Sequence, residues 1–354
     1  MRRQPIEVQT LYAELLERLI VAEAQRTLGS VPGGFVTKMI KGSEYYYFQQ
    51  VDPGGRRRQS YVGRRSEQLD QLAQRYVQER GVAALDVAGI ERLSALLRAG
   101  GVLRPDTASA RVIRALADSG VFRLGGVLVG THAFITLGNV LGVEWSGTGL
   151  RTQDVDIAAA QSISVAVSGR GTDLPGVLDQ LDMGFLPVPA FDPAGNTTPF
   201  KVRGQGLRVD LLAPAVRAGQ RDIRIPRFNA WAQPLKFLDY VMEDTVDAAA
   251  IDGGAVLVRV PTPARFALHK LIVANERPAS MHPKREKDLW QAARILEVVL
   301  DERRGDLPIA WAALASRGAG WVRRATAGIR SLESSAPEVA GRLMTTIAIG
   351  RGER

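Results

Sequence analysis

The chain contains no cysteine and only three histidines among its 354 residues. The absence of cysteine excludes disulfides and thiolate metal sites, and so few histidines argue against a histidine-rich zinc site. A cysteine-free chain is tolerated in any compartment but suits a reducing one, so we expect a cytoplasmic protein.

Long apolar runs are also missing. No stretch approaches the roughly 18–20 apolar residues that a membrane-spanning helix needs, so we expect no membrane partner. The first residues, MRRQPIEVQT, have no apolar segment behind their two arginines, so no secretory signal is predicted. Hydrophobic residues make up 45% of the chain and charged residues 23%, which is ordinary for a globular protein with room for two or three domains.

Acidic residues are in deficit, which leaves a net charge of +9. A basic balance favours a polyanionic partner such as a nucleotide or a nucleic acid. The indication is weak by itself because many of the arginines are scattered over predicted helices.

The most informative acids lie in the segment TQDVDI at 152–157. If this segment is a strand, Asp154 and Asp156 point to one face while Val155 and Ile157 point to the other, into a core. Two neighbouring carboxylates repel each other unless a cation lies between them, and Mg²⁺ prefers oxygen ligands of this kind. Upstream, the apolar run VLV at 127–129 ends in Gly130 and Thr131, where a helix-like segment begins.

A third carboxylate, Asp210, lies between apolar residues in the predicted strand of FKVRGQGLRVDLL, residues 200–212. If that strand lies beside 153–158, three carboxylates converge and could hold two Mg²⁺ ions, or Mn²⁺ in their place. The alternative is an ordinary acid at a strand edge.

Together, Val129-Gly130-Thr131, Asp154-Val155-Asp156 and Asp210 resemble the polymerase-β-type nucleotidyltransferase signature. The wording VGTHAF…LGV…TQDVDIA is closer still to an uncharacterised bacterial family of nucleotidyltransferase-like proteins. The resemblance covers about residues 110–295. Two features depart from the usual pattern: Thr131 stands where serine is commonest, and the gap to Asp154 is long. The additional Gly-rich segment, Gly142 to Gly149, is expected to form a loop at the site.

The resemblance implies an α/β (α+β) fold with a mixed nucleotidyltransferase sheet. It also implies that Asp154, Asp156 and Asp210 are catalytic metal ligands and that Gly130 and Thr131 bind the nucleotide. In similar proteins a lysine on a later helix faces the phosphates. Lys270 matches that position, and the following Lys287-Asp288 pair would fix the helices against the sheet. The alternative for these helix charges is a solvated surface.

Periodicity and turn signals divide the chain into four parts. An N-terminal helix over 6–28 and a small β-meander occupy 1–65. A helical connector with helices at 66–80, 87–98 and 107–119 occupies 66–119, and Asp106 or Thr107 is expected to cap the last of these helices. The nucleotidyltransferase core occupies 120–262, and a helical region occupies 263–354.

The meander has two interpretations. Basic and aromatic residues on a small sheet are typical of RNA binding, because phosphates meet arginine and bases stack on rings. Alternatively, the aromatic residues fill a small core and the arginines solubilise a hairpin. The arginines concerned are Arg56, Arg57, Arg58, Arg64 and Arg65, and the aromatic residues are Tyr45, Tyr46, Tyr47, Phe48 and Tyr61.

Three functional hypotheses follow. The first is an enzyme that transfers a nucleoside monophosphate from an NTP to the hydroxyl of an RNA end (tRNA included), a protein or a small molecule. The second is a non-catalytic module that binds nucleic acid or protein. The third is the same enzyme acting as a toxin with an antitoxin partner. His132, directly after Thr131, either contacts the substrate or packs locally.

Overall fold

The computed structural model describes residues 1–31, 33–51, 57–150, 152–161, 171–188, 199–202, 204–217 and 219–350. Within these ranges the chain forms helices and strands in mixed order. The helices are α1 (Ile6–Ala24), α2 (Glu67–Ala99), α3 (Thr107–Asp118), α4 (Gly130–Val140), α5 (Leu174–Gln180), α6 (Leu238–Met242), α7 (Pro263–Glu276), α8 (His282–Glu302), α9 (Asp306–Ala315), α10 (Ala319–Glu333) and α11 (Pro337–Gly350). The strands are β1 (Arg2–Arg3), β2 (Gly34–Ile40), β3 (Ser43–Val51), β4 (Arg57–Arg64), β5 (Val127–Val129), β6 (Val143–Glu144), β7 (Asp154–Ala158), β8 (Phe185–Pro187), β9 (Pro199–Val202), β10 (Arg208–Pro214), β11 (Ile223–Ile225), β12 (Ala230–Leu235), β13 (Thr245–Ile251) and β14 (Ala255–Pro261).

A seven-stranded mixed sheet forms the centre of the fold, with the order β11-β12-β10-β7-β5 and with β8 and β9 attached to β10. Strand β7 runs parallel to β10 and antiparallel to β5. This mixed sheet, together with the helices around it, confirms the predicted α/β (α+β) class. The prediction that the Asp210 strand lies beside the Asp154 strand is also confirmed.

Apolar residues of the two central strands fix which face of the sheet is buried. Val155 and Ile157 of β7 and Val209 and Leu211 of β10 are almost fully buried in the main core. Because strand side chains alternate, the acids between them point to the opposite face. The alternation thus builds one apolar face and one face that carries charge.

The helical connector differs from the prediction at one point. Separate helices were expected at 66–80 and 87–98, but α2 is one helix from Glu67 to Ala99. Ser66 caps its start by accepting a hydrogen bond from the backbone N–H of Leu69 at 3.4 Å. Gly81 lies in the middle of α2 and lowers helix propensity by only about 1 kcal/mol, too little to end a helix that packs against α1. Asp106 caps α3, as expected.

The N-terminal and C-terminal parts largely follow the prediction. Helix α1 ends at Ala24, earlier than expected, and strands β2, β3 and β4 form the predicted antiparallel meander. Residues 52–56, between β3 and β4, lie outside the described residues. Helices α7 to α11 fill the C-terminal region. The four-part division stays a prediction; Tyr12 of α1 accepts a hydrogen bond from the backbone N–H of Ala249 in β13 at 3.0 Å, which joins two of its parts.

None of the helices in the described ranges has both the length and the apolar character required to cross a bilayer.

Candidate functional site

Three carboxylates lie on the polar face of β7 and β10. Asp156 and Asp210 are direct partners in the parallel register, and Asp154 lies two residues before Asp156 on the same face. Neighbouring strands are about 4.8 Å apart, so the side chains of Asp156 and Asp210 stand next to each other. The sheet therefore brings together the three acids that the sequence singled out.

Gly130 lies directly against this group. It follows Val129, the antiparallel partner of Asp156, and its φ of +65° is a conformation that other residues rarely adopt. A Cβ atom at Gly130 would stand 2.2 Å from Oδ2 of Asp156. Only glycine lets the first turn of α4 approach the carboxylate so closely, and this explains the glycine of the sequence motif.

The three carboxylates are crowded, and nearby cations offset their negative charge only in part. Burial, together with the carboxylates of Asp210 and Asp154, raises the pKa of Asp156 to about 7. Burial also raises the pKa of Asp210, although the guanidinium of Arg208 opposes the rise. This face of the sheet thus has an electrostatic deficit that a cation would relieve.

Arg208 is a member of the site that was not predicted. It lies two residues before Asp210 on the same strand, and its Nε donates to both carboxylate oxygens of Asp210 at 2.7 Å. Residues two apart on a strand share a face, so the pairing could have been inferred from LRVDLL. As a consequence, Asp210 is occupied by Arg208 in the arrangement seen.

Helices α7 and α8 contribute cations on the other side of the site. Nζ of Lys270 is 2.7 Å from Oδ1 of Asp288, and Nε of Arg277 is 2.6 Å from its Oδ2. Although burial opposes it, these two cations hold the pKa of Asp288 below its usual range. Lys270 is near enough to Asp156 to favour that group's charged form. Its role at the phosphates stays a prediction, because Asp288 already engages it.

Lys287 was expected to fix the helices, but it also faces the acids. Burial and the nearby Lys270 lower the pKa of Lys287, while Asp288, Asp154 and Asp156 oppose the change. Two lysines from two helices therefore border the carboxylates. The sequence alone does not reveal the position of Lys287, because it depends on how α8 packs against α7 and against residues 148–150.

A buried glutamine connects the start of α4 to the Gly-rich segment. Nε2 of Gln291 lies 3.4 Å from Oγ1 of Thr131 and donates to the carbonyl oxygen of Gly149 at 3.2 Å. A Cβ at Gly149 would stand 2.3 Å from the ring of Trp290, so this segment packs tightly on α8. The Gly-rich segment is thus positioned beside Thr131, as expected for a loop at the site.

His132 packs rather than reaching outward. Its side chain is buried, and neither ring nitrogen has a hydrogen-bond partner within the described structure. Burial lowers the pKa of His132 to about 4, which keeps the ring neutral at physiological pH. The packing interpretation of this residue therefore fits better than substrate contact.

The meander arginines do not form one group. Arg57 and Arg64 are exposed, and Arg58 takes part in an interaction of its own. Arg65 forms ion pairs with Glu44 at 2.6 Å and Asp70 at 3.0 Å. Arg56 lies outside the described residues. RNA binding by these arginines stays a prediction.

The donor set suits a hard divalent cation, although the arrangement seen is not closed around one. Among the described residues, no three His, Asp or Glu side chains form a group that could hold a metal ion. Mg²⁺ fits this site because all the donors are oxygen atoms that repel one another. It also fits because Gly130 leaves space beside Asp156. For Asp210 to join Asp154 and Asp156 as a ligand, the guanidinium of Arg208 must move away from its oxygens.

A groove of about 1310 Å³ lies elsewhere, between α1, α2 and the β13–β14 hairpin, and none of the three acids lines it. Its charged residues are largely paired, for example Arg114 with Asp252 and Arg123 with Glu23. The chemistry points to the carboxylate face rather than to this groove.

The comparison with protein families agrees with the chemistry of the carboxylate face. The family model described as Nucleotidyltransferase matches residues 107–316, more than half of the chain. The chain is also similar to the crystal structure of an antigenic nucleotidyltransferase-like protein from Paracoccidioides brasiliensis. That similarity has 16% identity, covers 68% of this chain and 94% of the other, and has a TM-score of 0.38. No curated protein matches the chain at a significant level.

Proposed function

We propose, from the premise that the chain belongs to a nucleotidyltransferase family, that it transfers a nucleoside monophosphate from an NTP to an acceptor hydroxyl with the help of Mg²⁺ or Mn²⁺. The observation that carries the proposal is the in-register placement of Asp156 beside Asp210, with Asp154 on the same face. This arrangement fits the polymerase-β type of nucleotidyltransferase.

Each residue has a role in this scheme. Asp154, Asp156 and Asp210 would hold the metal, which when bound neutralises phosphate charge and activates the attacking oxygen. The N-terminus of α4 at Gly130 and Thr131 would bind phosphate through its backbone N–H groups. Lys270 and Lys287 would add positive charge near the leaving group.

The transfer forms one bond at the α-phosphorus and breaks one. The acceptor oxygen attacks the α-phosphorus, the bond from that phosphorus to the bridging oxygen breaks, and pyrophosphate leaves with the electron pair. The proton of the acceptor hydroxyl passes to Asp210. The candidate acceptors are an RNA or tRNA end, a protein side chain and a small molecule. A toxin with a cognate antitoxin is one candidate cellular role for the same activity.

Calorimetry with ATP, CTP, GTP and UTP in the presence of Mg²⁺ tests the proposal. We expect at least one NTP to bind, and we expect Asp154→Ala and Asp156→Ala to abolish Mg²⁺-dependent binding while the circular dichroism spectrum is unchanged. The matched control is Asp179→Ala, which removes an exposed acid of helix α5 outside the site. Unchanged NTP affinity in both site variants would instead support a non-catalytic binding module.

A further inference from the structure

The two faces of the β2–β3–β4 sheet have different surroundings. On one face, Phe35 and Phe48 each lie 5.4 Å from Tyr76 of α2, measured between ring centroids. Tyr46 is buried on the same face and its hydroxyl donates to Asp70 at 2.6 Å. The core interpretation of the aromatic run is therefore correct for this face.

The opposite face carries three tyrosines, of which Tyr45 and Tyr47 are half-buried and Tyr61 is exposed. Tyr47 is the register partner of Tyr61, and their ring centroids are 5.6 Å apart; Tyr45 lies 6.1 Å from Tyr61. The side chain of Tyr61 is 60% exposed. Large apolar rings at the surface are unusual without a partner, because their burial is favourable.

Positive charge lies on the same face as these rings. Lys38 is the register partner of Tyr45 and lies 4.7 Å from the centroid of the Tyr47 ring. The irregularity at Tyr46/Tyr47 inserts one extra residue in β4, so Arg64 becomes the partner of Tyr45 and shares the face with Tyr61. Arg57, the partner of Val51, continues the same alternation. We name this surface the tyrosine face by its rings and cations, which are Lys38, Tyr45, Tyr47, Arg57, Tyr61 and Arg64. The uncharged residues Val36, Gln49, Val51 and Gln59 lie on the same face.

The acidic side chain of this sheet lies on the opposite face from Tyr45, Tyr47 and Tyr61. Glu44 is the one acidic residue in the described strands of this sheet, and it alternates to the face of Tyr46. There Arg65 neutralises it at 2.6 Å. The tyrosine face therefore presents cations and rings without an acid from its own strands, which complements a polyanion that also carries stacking groups.

We propose that the tyrosine face binds single-stranded nucleic acid and that, given the proposed function, this strand is the acceptor. Bases stack on the exposed tyrosine rings, and Lys38, Arg57 and Arg64 contact the phosphates. An acidic protein segment would satisfy the charges but would leave the rings without a stacking partner. The binding set includes only two of the five arginines of the motif. Arg58 alternates to the face of Tyr46, Arg65 pairs with Asp70 of α2, and Arg56 lies outside the described residues.

Fluorescence anisotropy with a fluorescein-labelled oligouridylate tests the proposal on the full chain. Tyr61→Ala is expected to raise Kd about ten-fold, whereas Tyr61→Phe keeps the ring and should stay within about two-fold of wild type. The double change Arg57→Ser and Arg64→Ser should reduce the slope of log K against log salt by about 1.4 between about 50 and 200 mM KCl.

The matched control removes two exposed arginines of α10, Arg323→Ser and Arg330→Ser, and should leave that slope nearly unchanged. An equal loss in the control pair, or equal Kd values for Tyr61→Ala and Tyr61→Phe, would overturn the proposal. So would polyglutamate competing as well as unlabelled oligouridylate, because the face would then recognise charge alone. Thermal melting of each variant excludes unfolding as the cause.

Two further measurements separate this inference from the proposed function. Mg²⁺-dependent NTP binding should be unchanged in the tyrosine-face variants, and Asp156→Ala should still bind oligouridylate. If wild type bound oligouridylate in a Tyr61-dependent way but bound no NTP, the nucleotidyl transfer and the acceptor role would both fall while the binding surface stood. If NTP bound and oligouridylate did not, the inference would fall alone.

Discussion

On the strand side of the candidate site three carboxylates face one arginine, whereas on the helix side one carboxylate faces two cations. Asp154, Asp156 and Asp210, which we name the acid edge, crowd one another and the pKa of Asp156 rises. Lys270, Arg277 and Asp288, which we name the Asp288 clamp, pair at 2.6–2.7 Å and the pKa of Asp288 falls.

The difference between the acid edge and the Asp288 clamp indicates a ligand-binding role for the first and a structural role for the second. The nearby cations compensate the carboxylates of the acid edge only in part, since the pKa of Asp156 still rises. Such a group is less stable alone than with a bound cation, which favours a binding role. A buried acid with two cations is already satisfied and holds α7 against α8. Substitutions in the two regions should therefore change opposite properties: ligand binding at the acid edge and stability at the Asp288 clamp.

The largest effect on stability is expected from Asp288→Ala. This change leaves Lys270 and Arg277 partly buried without their acid, and breaking a buried pair in this way costs about 3–5 kcal/mol. Urea denaturation measures the loss in the free energy of unfolding. Asp301→Ala is the matched control on the same helix, because its pair with Arg342 is exposed and should contribute less than about 1 kcal/mol. Similar losses in both variants would remove the contrast between the two regions.

An intermediate effect is expected at His132, the buried histidine that follows Thr131 at the start of α4. Asp106 and Asp154 favour its proton, Lys287 opposes it, and burial decides in favour of the neutral ring with a pKa of about 4. The unfolded chain, with an ordinary value near 6.5, binds the proton more readily, so stability falls as pH drops from about 6.5 towards 4. His132 should account for a loss of about 2 kcal/mol between pH 7 and 5.

The measurement is urea denaturation of wild type and His132→Leu across this pH range. The variant should lose less stability than wild type by about that amount. His282→Leu, an exposed histidine of α8, should leave the wild-type curve essentially unchanged. Parallel curves for wild type and His132→Leu would show that burial does not control this ring.

The smallest effect on stability is expected at the acid edge. Asp156→Asn removes one of three neighbouring negative charges, so the free energy of unfolding should stay equal or rise by up to about 1 kcal/mol. Addition of Mg²⁺ with a bound NTP should raise the melting temperature of wild type but not of this variant. A clear loss of stability in Asp156→Asn without ligand would place Asp156 with the structural charges instead.

Alternation along strands made much of the acid edge predictable. The pattern TQDVDI and LRVDLL assigned one face to the acids and the other to Val155 and Ile157, and the parallel register of β7 with β10 confirmed it. The pairing of Arg208 with Asp210 follows from the same rule, because residues two apart on a strand share a face, but the motif alone does not draw attention to it. The Asp288 clamp is different, because its geometry depends on how the neighbouring helices α7 and α8 pack against each other, which alternation along a strand does not give.

The connector and the meander show two other limits. A glycine in a helix is a weak stop signal, and tertiary packing against α1 overrides Gly81 within α2. In the meander, alternation separates Tyr46 and Phe48 from Tyr45 and Tyr47, but it does not say which set α2 covers. That choice requires Tyr76, which contacts the sheet from a helix beyond β4.

The alternation of acids and apolar residues on β7 also restricts how the strand can pair during folding. A slip by one residue against β10 would turn Asp154 and Asp156 into the core and expose Val155 and Ile157. Because unpaired buried carboxylates are so unfavourable, such a misaligned sheet is excluded energetically long before any substrate is present. The charges of the acid edge therefore also favour the correct register of β7 against β10. A variant with valine in place of both Asp154 and Asp156 would lose this preference and would populate misregistered, aggregation-prone sheets.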